Sequence, residues 1–310
     1  MCPKLVVLGS INVDHVIRVP RFARAGETLS GSDYRIAYGG KGANQAVAAA
    51  RLKDPHTQVD FIACIGNDDI GKAMKTAFAQ DGINTDTISC IEQEMTGIAM
   101  IQVADSGENS IVIAAGANAC LDEHIVARYA NHIRQADALL MQLETPLPAI
   151  CEAVDIAHQN GTKVILNPAP AQSLPEALLR HLYMITPNET EAEILTGIKV
   201  EDESSAAQAA EKLHQLGVQI VLITLGANGV YVSENNRGQI IRGFRVVAKD
   251  TTAAGDTFNG ALTVALLEGK TLMEAIRFAH AAAAISVTRA GAQPSIPSRA
   301  ETLTFLAQQP

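Results

Sequence analysis

The order of its apolar segments constrains this chain most. Short runs rich in Val, Ile and Leu, at residues 5–8, 61–65, 139–143, 164–166 and 220–225, alternate with segments that have helical spacing. Apolar runs of this length without polar alternation are typical of strands that are buried on both faces, as in a parallel sheet. Parallel neighbours need crossover connections, and helices usually supply them. The sequence therefore predicts an α/β fold, with helices packed around a central, mostly parallel sheet.

Two stretches interrupt this alternation. Residues 12–38 contain short apolar runs separated by glycines, and residues 96–114 have the pattern of a hairpin that turns at residues 105–107. We expect them to form a small antiparallel sheet that stands off the main one. A sheet this small cannot easily bury both faces by itself, so it needs a partner surface. The length of 310 residues fits one large domain, 1–310, with this appendage.

Composition excludes several classes of function. The chain has 24 Lys and Arg against 33 Asp and Glu, a net charge of −9, and no long basic run, which argues against nucleic acid as a partner. No apolar stretch reaches the roughly 18 residues that a membrane span needs. The five cysteines are odd in number and widely spaced, which favours reduced thiols over a disulfide framework. The sequence predicts a cytoplasmic protein with neither a signal peptide nor a membrane partner.

Residues 66–73 nearly spell a phosphate-binding loop. The pattern fails at its last position, where Ala73 replaces the Ser or Thr that would hold magnesium. Asp68 would also place a negative charge where phosphates should lie. We therefore predict an ordinary junction between a strand and a helix, with an Asp capping the helix.

A better candidate for a ligand site is the run Gly-Gly-Lys-Gly-Ala-Asn at residues 39–44. Its glycines let the backbone approach a ligand closely, Lys41 adds a positive charge, and Asn44 adds a donor and an acceptor at a helix start. The dinucleotide fingerprint is not met, because Gln45 stands where its third glycine should be. Taken alone, the run fits a simple turn before a helix as well as it fits a site.

The run at residues 250–256, Asp-Thr-Thr-Ala-Ala-Gly-Asp, leads directly into a predicted helix. The free N–H groups and the dipole of that helix start would form an anion hole. Asp256 beside such a hole could take a proton from a hydroxyl that attacks a phosphoryl group. Because it lies at a helix N-terminus, we expect a low pKa for Asp256.

Two further pairs of polar residues stand where an edge of the sheet is expected. Asn188 and Glu191 are three apart at a predicted helix start, where they could face hydrated magnesium or simply cap the helix. Asn12 and Asp14 are two apart on an extended segment and so share one face, which suits sugar hydroxyls or a polar strand end.

Together these motifs, in this order along essentially the whole chain, resemble the ribokinase (PfkB) family of carbohydrate and nucleoside kinases. The resemblance implies a three-layer ribokinase-like domain with a small antiparallel β lid, formed by about residues 12–38 and 96–114. It also implies phosphoryl transfer from ATP to a sugar hydroxyl, with D-ribose as the acceptor and ribose 5-phosphate as the product.

The resemblance assigns roles residue by residue. Asp256 would be the catalytic base, and the backbone amides of Ala253, Ala254 and Gly255 would stabilise the transferring phosphoryl group. The sugar contacts would be Asn12, Asp14, Gly40, Lys41, Gly42, Asn44, Glu144 and Asp256. The nucleotide contacts would be Asn188, Thr224, Leu225, Gly226, Ala227, Asn228, Gly229, Gly255 and His280. Glu191 would place Mg²⁺ through water. A K⁺ site would comprise Asp250, Thr252, Ser286, Arg289, Gly291 and Ser295.

In this family two lids pack together, so the resemblance implies a homodimer. Two alternatives remain open. The chain could phosphorylate another acceptor, such as deoxyribose, fructose or adenosine, or it could be a sugar sensor without catalysis. The low aromatic content of 4% favours a free sugar over a purine nucleoside.

Overall fold

The computed structural model describes residues 2–235 and 237–309. Its strands are β1 (Lys4–Leu8), β2 (Asn12–Val19), β3 (Ser32–Gly39), β4 (Gln58–Gly66), β5 (Ile88–Ile91), β6 (Gly97–Ala104), β7 (Asn109–Ala114), β8 (Ala138–Met141), β9 (Lys163–Leu166), β10 (Met184–Ile185), β11 (Ile220–Thr224), β12 (Val230–Glu234) and β13 (Arg237–Ile241). Its α-helices are α1 (Lys41–Leu52), α2 (Asp69–Gln80), α3 (Glu123–Arg128), α4 (Ala130–Arg134), α5 (Leu147–Gln159), α6 (Glu176–Leu179), α7 (Glu189–Thr196), α8 (Glu203–Gln215), α9 (Ala254–Leu267), α10 (Leu272–Ser286) and α11 (Arg299–Ala307). None of these described helices is long and apolar enough to cross a membrane.

The main sheet has nine strands in the order β13-β12-β11-β10-β9-β8-β1-β4-β5. Every pairing from β11 to β5 is parallel, and β12 and β13 add an antiparallel edge. Strand β1 shows why the sheet is buried on both faces. Leu5 and Val7 point into one apolar core, while Val6 and Leu8 point into another. The predicted α/β fold is confirmed.

Helices cover both faces of the main sheet and give the molecule three layers. Residues of α1, α2, α9, α10 and α11 pack into one core, and residues of α3 to α8 pack into the other. One strand is shorter than predicted: β8 ends at Met141 rather than at residue 143. Gln142 therefore leaves the strand and is fully buried at its carboxyl end.

The contact between α1 and α9 is unusually close because glycine and alanine meet there. A Cβ atom added at Gly260 would lie 2.6 Å from the Ala48 Cβ and 2.8 Å from the backbone of α1 at Ala49 and Gln45. Any larger side chain at position 260 would therefore push the two helices apart. This approach brings the first turns of α1 and α9 together.

The small sheet has the order β3-β2-β6-β7 and comes from the two segments that the sequence set apart. Its β6–β7 hairpin turns at residues 105–107, as predicted, and the β2–β3 and β6–β7 pairings are antiparallel. The middle pairing of β2 with β6 is parallel. The reason is the connection, since the chain passes through α1, β4, α2 and β5 between these strands. We call strands β2, β3, β6 and β7 the lid.

The lid joins the main body through Asp68. Its carboxylate caps α2 by accepting a hydrogen bond from the Gly71 amide at 2.7 Å. It also accepts bonds from the amide and the hydroxyl of Thr96, at 2.7 and 2.9 Å, immediately before β6. The helix cap predicted in place of a phosphate-binding loop is therefore confirmed, and the same carboxylate fixes one end of the lid.

The close packing of α1 and α9 leads to a stability prediction. The substitution Gly260→Ala should lower the free energy of unfolding by about 1–3 kcal/mol, because the added methyl group has no space. This loss should appear although alanine is the better helix former by about 1 kcal/mol. Urea denaturation monitored by circular dichroism measures the difference.

Gly243→Ala is the matched control, because its added Cβ would have its nearest neighbour at 3.7 Å. Equal stability of the Gly260→Ala variant and the wild type would contradict the packing argument.

Candidate active site

Most of the predicted site residues lie at one edge of the main sheet, where its parallel strands end. Asn12 follows β1, Glu144 follows β8, Asn188 follows β10, and the segment from Leu225 to Gly229 follows β11. The carboxyl edge of a parallel sheet is the usual position of ligand sites in α/β proteins. The lid strand β2 continues from the same edge, so the lid covers it.

The glycine-rich run forms the entry to α1. Gly40 is the N-cap and has a φ of 90°, a conformation that favours glycine. A Cβ atom at Gly40 would also lie 2.7 Å from the Asn12 amide nitrogen. The Ala43 amide donates to the Ser10 carbonyl at 2.9 Å, which ties the start of α1 to the segment after β1. The glycine-rich run and the segment around Asn12 are therefore in contact.

Glu144 is held at the same place by two donors. Its Oε2 accepts a hydrogen bond from the Ser10 hydroxyl at 2.6 Å and one from the Lys41 amide at 3.0 Å. Ser10 also accepts from the Gly42 amide at 3.3 Å. The structure thus connects the strand β1 segment, the start of α1 and the segment after β8 through one carboxylate.

Asn12 and Asp14 lie at the base of the lid. The Asn12 Oδ1 accepts a hydrogen bond at 2.9 Å from the Asn118 amide group, which also binds both backbone groups of Ile11. Burial, with a contribution from nearby Glu144, raises the pKa of Asp14 to about 6. Ligands that donate hydrogen bonds, such as sugar hydroxyls, would stabilise the charged form of this desolvated carboxylate.

Asp256 is almost fully buried in the first turn of α9, with 7% of its surface exposed. Its Oδ2 accepts from the Asn44 side chain at 3.0 Å, and its Oδ1 accepts from the Gln45 side chain at 2.9 Å. Burial raises the pKa of Asp256, although Lys41 and these two amide donors oppose the shift. The low pKa predicted for this residue is therefore wrong, because desolvation outweighs the stabilisation of the carboxylate by Lys41 and the two amides.

Lys41 is the cation that compensates this cluster of acids. Burial by itself lowers its pKa, but the carboxylates of Asp256, Glu144 and Glu191 reverse the effect, and the pKa lies above its ordinary value. The side chain is therefore a charged ammonium group among three acids. Such a cation can neutralise negative charge at the point where the sugar and phosphate sites would meet.

The segment predicted to form an anion hole lies at the start of α9. Ala253 adopts a left-handed conformation with φ 59° as the N-cap. The Ala254 amide donates to the Thr251 carbonyl at 3.2 Å, so it is already engaged. Within residues 2–235 and 237–309, the amides of Ala253, Gly255 and Asp256 donate no hydrogen bond. These three N–H groups are available to an anion.

Asn188 and Glu191 form a capping box at the start of α7. The Asn188 Oδ1 accepts from the Glu191 amide at 2.8 Å, and the Glu191 Oε2 accepts from the Asn188 amide at 2.9 Å. Burial raises the pKa of Glu191, and Asp256 adds to the shift, whereas the Asn188 bond and Lys41 oppose it. Capping thus engages one carboxylate oxygen of Glu191. A nearby cation would stabilise the ionised form of this desolvated group.

A cavity of about 420 Å³ lies beyond β11 and could hold a nucleotide-sized ligand. Leu225, Ala227 and Asn228 line it, as does Arg242, which the sequence motifs do not include. His280 is buried behind this wall, where its ring bonds the Arg242 backbone, and burial lowers its pKa to about 4. A neutral His280 therefore supports the wall of the cavity.

The residues of the predicted cation site lie along two facing segments. Asp250 accepts from the amide and the hydroxyl of Thr252, at 2.9 and 2.6 Å, and from the Gly291 amide at 2.8 Å. Its own amide donates to the Val287 carbonyl at 3.1 Å, one residue beyond Ser286. Arg289 donates its amide to the Ser286 carbonyl at 3.0 Å. Ser295 is fully buried, and its hydroxyl donates to a backbone carbonyl.

Comparison with known proteins agrees with this geometry. The model of the pfkB family carbohydrate kinases matches residues 3–299. The ribokinase of Haemophilus influenzae is 62% identical over 302 residues, covering 97% of this chain and 98% of the relative. The chain belongs to the PfkB family of carbohydrate kinases.

Two other PfkB relatives bear on the acceptor. The Arabidopsis thaliana ribokinase, solved in complex with ribose and ATP, superposes with a TM-score of 0.94 at 35% identity and covers 100% of both chains. The deoxyribokinase of Salmonella typhi is 34% identical over 295 residues, which cover 95% of each chain. Both ribose and deoxyribose kinases are thus similar to this PfkB protein over nearly its full length.

The structure also reveals polar residues of this PfkB site that the motifs did not assign. Ser10 and Asn118 hold Glu144 and Asn12, and Gln45 and Gln142 belong to a buried network that ends at Asp256. One signal was available, since Gln142 is the one polar residue within the apolar run at residues 139–143. Nothing local in the sequence indicates that Asn118 reaches Asn12 across 106 positions.

Proposed function

We propose that this chain transfers the γ-phosphoryl group of ATP to O5 of D-ribose, giving ADP and D-ribose 5-phosphate. The observation that carries the proposal is the position of Asp256. This buried carboxylate lies beside free helix amides and shares hydrogen bonds with the glycine-rich sugar motif. Membership of the PfkB family and 62% identity to a ribokinase support ribose as the acceptor.

In the proposed reaction, Asn12, Asp14, Lys41, Asn44 and Glu144 hold the ribose hydroxyls, together with the backbone of Gly40 and Gly42. The Asn44 Oδ1 is buried and has no partner among the described residues, so it is available to a sugar hydroxyl. Placing a donor there satisfies an acceptor whose burial is otherwise costly.

Asp256 would act as the general base. As the ribose O5 forms its bond to the γ-phosphorus, the bond from that phosphorus to the bridging oxygen of ADP breaks. The O5 proton then passes to the Asp256 carboxylate. A raised pKa makes this carboxylate a better proton acceptor, and the loose transition state allows the proton to leave late. The amides of Ala253, Gly255 and Asp256 would stabilise the phosphoryl oxygens, with Ala254 at the same turn.

ATP would bind along Thr224–Gly229 and Asn188, with its base in the cavity beyond β11. Mg²⁺ fits a position near Glu191, where one carboxylate oxygen remains outside the capping box. The described residues contain no cluster of three acidic, His or Cys side chains that could hold a metal alone. Magnesium that keeps most of its waters and phosphate ligands does not need one. When bound, it would neutralise phosphate charge.

A monovalent cation, K⁺, fits the two facing segments around Asp250 and Thr252. Ser286, Arg289, Gly291 and Ser295 lie on the second segment, which the Asp250 carboxylate and amide already join to the first. Because the loop leads directly into the anion hole, a cation there would order the amides of α9. We propose K⁺ as an activator on this basis.

We further propose that residues 1–310 form one cytoplasmic unit that dimerises through the lid. The pairing register places Tyr34, Ile36, Met100 and Val112 on the lid face opposite Asp14, and each of the four is at least half exposed. An apolar face of this kind on a four-stranded sheet fits a second copy of the lid. No nucleic acid or membrane partner is proposed.

Phosphorylation of deoxyribose is the second candidate. It rests on the similarity to a deoxyribokinase and would use the same base and anion hole. The two functions differ only in whether a contact to the ribose 2-hydroxyl is needed.

The activity is tested by ADP formation from ATP and Mg²⁺ with ribose, deoxyribose, fructose, adenosine or no acceptor. We expect ribose to give the highest kcat/KM. In the Asp256→Asn variant, kcat should fall by about 10²–10⁴-fold, because a general base is lost. The exposed Asp86→Asn variant is the control. Higher turnover with deoxyribose than with ribose would favour the second candidate, and an unimpaired Asp256→Asn variant would refute the mechanism.

Potassium activation is tested by measuring the same reaction in K⁺, Na⁺ and tetramethylammonium buffers of equal ionic strength. We expect the rate to be highest in K⁺. The Asp250→Asn variant should need more K⁺ for half-maximal activity, because it loses a negative charge at the site. Equal wild-type rates in all three buffers would exclude the cation site.

Dimerisation is tested by sedimentation equilibrium. The Val112→Asp variant should be monomeric, because it places a charge on the exposed lid face, where Val112 is 68% exposed. Met273→Asp changes an exposed apolar residue outside the lid and should leave the dimer intact. A wild-type chain that sediments as a monomer would contradict the proposal.

A further inference from the structure

A chain of buried amide side chains ends at the Asp256 carboxylate. The Gln142 side chain donates to the Gln45 Oε1 at 2.7 Å, and the Gln45 Nε2 donates to the Asp256 Oδ1 at 2.9 Å. The same Nε2 donates to the Asn167 Oδ1 at 3.0 Å. Gln45 and Gln142 are both 0% exposed. None of these three amides belongs to the motifs assigned to sugar, nucleotide or metal.

The network leaves Gln45 one orientation. Its oxygen is needed by Gln142, and both of its N–H bonds are used by Asp256 and Asn167. Asn167 is itself fixed, because its amide group donates to the Thr186 carbonyl at 3.1 Å. An amide with all its bonds satisfied on three sides cannot turn without losing buried hydrogen bonds. Gln45 therefore presents a donor, never an acceptor, to Asp256.

The fold makes room for this arrangement at a cost. A Cβ atom at Gly9 would collide with the Gln142 Oε1, so the absence of a side chain at position 9 admits the Gln142 amide. That same oxygen is buried and has no partner within residues 2–235 and 237–309. An apolar side chain could fill this space without an unsatisfied atom. Packing of the core does not by itself explain this polar network, since an apolar side chain would be more stable there. We therefore look for its role at the Asp256 carboxylate.

The charged and polar groups around Asp256 indicate the role of the network. Lys41 at the start of α1 favours the carboxylate, whereas Glu144 after β8 opposes it, and Glu191 in α7 adds a third acid nearby. Two neutral donors complete the environment, one from Asn44 and one from Gln45. Asn44 is also assigned to the sugar, through its free Oδ1. Gln45 is the donor that is not assigned to any ligand.

We infer that Gln45 is a positioning residue for phosphoryl transfer: it keeps Asp256 ionised and turned toward the acceptor hydroxyl, and Gln142 and Asn167 set its orientation. This inference rests on the proposed function, because it assigns Gln45 a role toward the base of that reaction. The Asp256 Oδ1 accepts one bond from Gln45 and keeps a second lone pair for the incoming proton. Gln45 itself exchanges no proton and does not touch the substrate.

The test compares pH profiles of kcat/KM for ribose in the wild type and in the Gln45→Met and Gln45→Glu variants. An N–H donor stabilises the charged form of a carboxylate, so losing it raises the pKa of Asp256. The base is then protonated at higher pH, and the acid limb of the profile should move upward by roughly one unit in Gln45→Met. Gln45→Glu, which adds a like charge, should move it further.

Above the acid limb, kcat should fall by about 10–100-fold in Gln45→Met, because the carboxylate is no longer aligned. The KM for ribose should change little, since Gln45 does not contact the sugar. Gln142→Met removes only the bond that orients Gln45, so it should produce a smaller shift of the acid limb in the same direction. Gln80→Met makes the same chemical change at an exposed position and is the control. Circular dichroism and thermal melts confirm that each variant is folded.

The outcomes separate this inference from the proposed function. A wild type and a Gln80→Met control without ribose-dependent ADP formation would refute the proposed function. An active wild type with folded Gln45 variants whose acid limb is unmoved would overturn the inference alone and leave Gln45 a core residue. If Gln45→Met does not fold, Gln45→Glu and Gln142→Met decide the question, because the first keeps the native side-chain shape and the second leaves Gln45 itself in place.

Discussion

The close contact between α1 and α9 is the constraint on which the site depends. Gly260 has no side chain at the crossing, and Ala48 and Ala49 face it, so the first turns of both helices lie side by side. Asn44 and Gln45 then reach the Asp256 carboxylate directly. The same approach brings Lys41 close enough to Asp256 to lower the pKa of that carboxyl group. A base, an anion hole and a cation come together because two helices have almost no side chains between them.

The site brings together several acidic side chains whose ionised forms are destabilised by burial. The pKa values of Asp14, Asp256 and Glu191 are all raised, and Lys41 is the buried cation that offsets part of the cost. Raised acid pKa values mean that the folded state loses stability as pH rises through them. A protein selected for stability alone would not keep this cluster. The sugar hydroxyls, phosphates and cations of the proposed reaction would supply charges and donors that the side chains of the site do not supply themselves.

Two polar side chains couple the lid to the body, in addition to the apolar contacts of Val13 and Tyr38 with the core. Asp68 binds both α2 and the residue before β6, and Asn118 binds Asn12 at the start of β2. Both contacts fix the ends of the lid strands that rise from the sheet edge, while β7 is exposed along its whole length. The lid is thus fixed at its base, and the face opposite Asp14 is the one proposed to contact a second copy.

The sequence by itself determined the α/β class, the position of the lid segments and the three motifs, because apolar runs, turn residues and glycines act through local geometry. It also indicated Asp68 as a helix cap. Only the tertiary structure decided the parallel pairing of β2 with β6, the raised pKa of Asp256 and the orientation of Gln45. These depend on burial and on partners distant in the chain, such as Gln142, 97 positions from Gln45. Desolvation and long-range hydrogen bonds belong to the packed molecule, so no local pattern of residues records them.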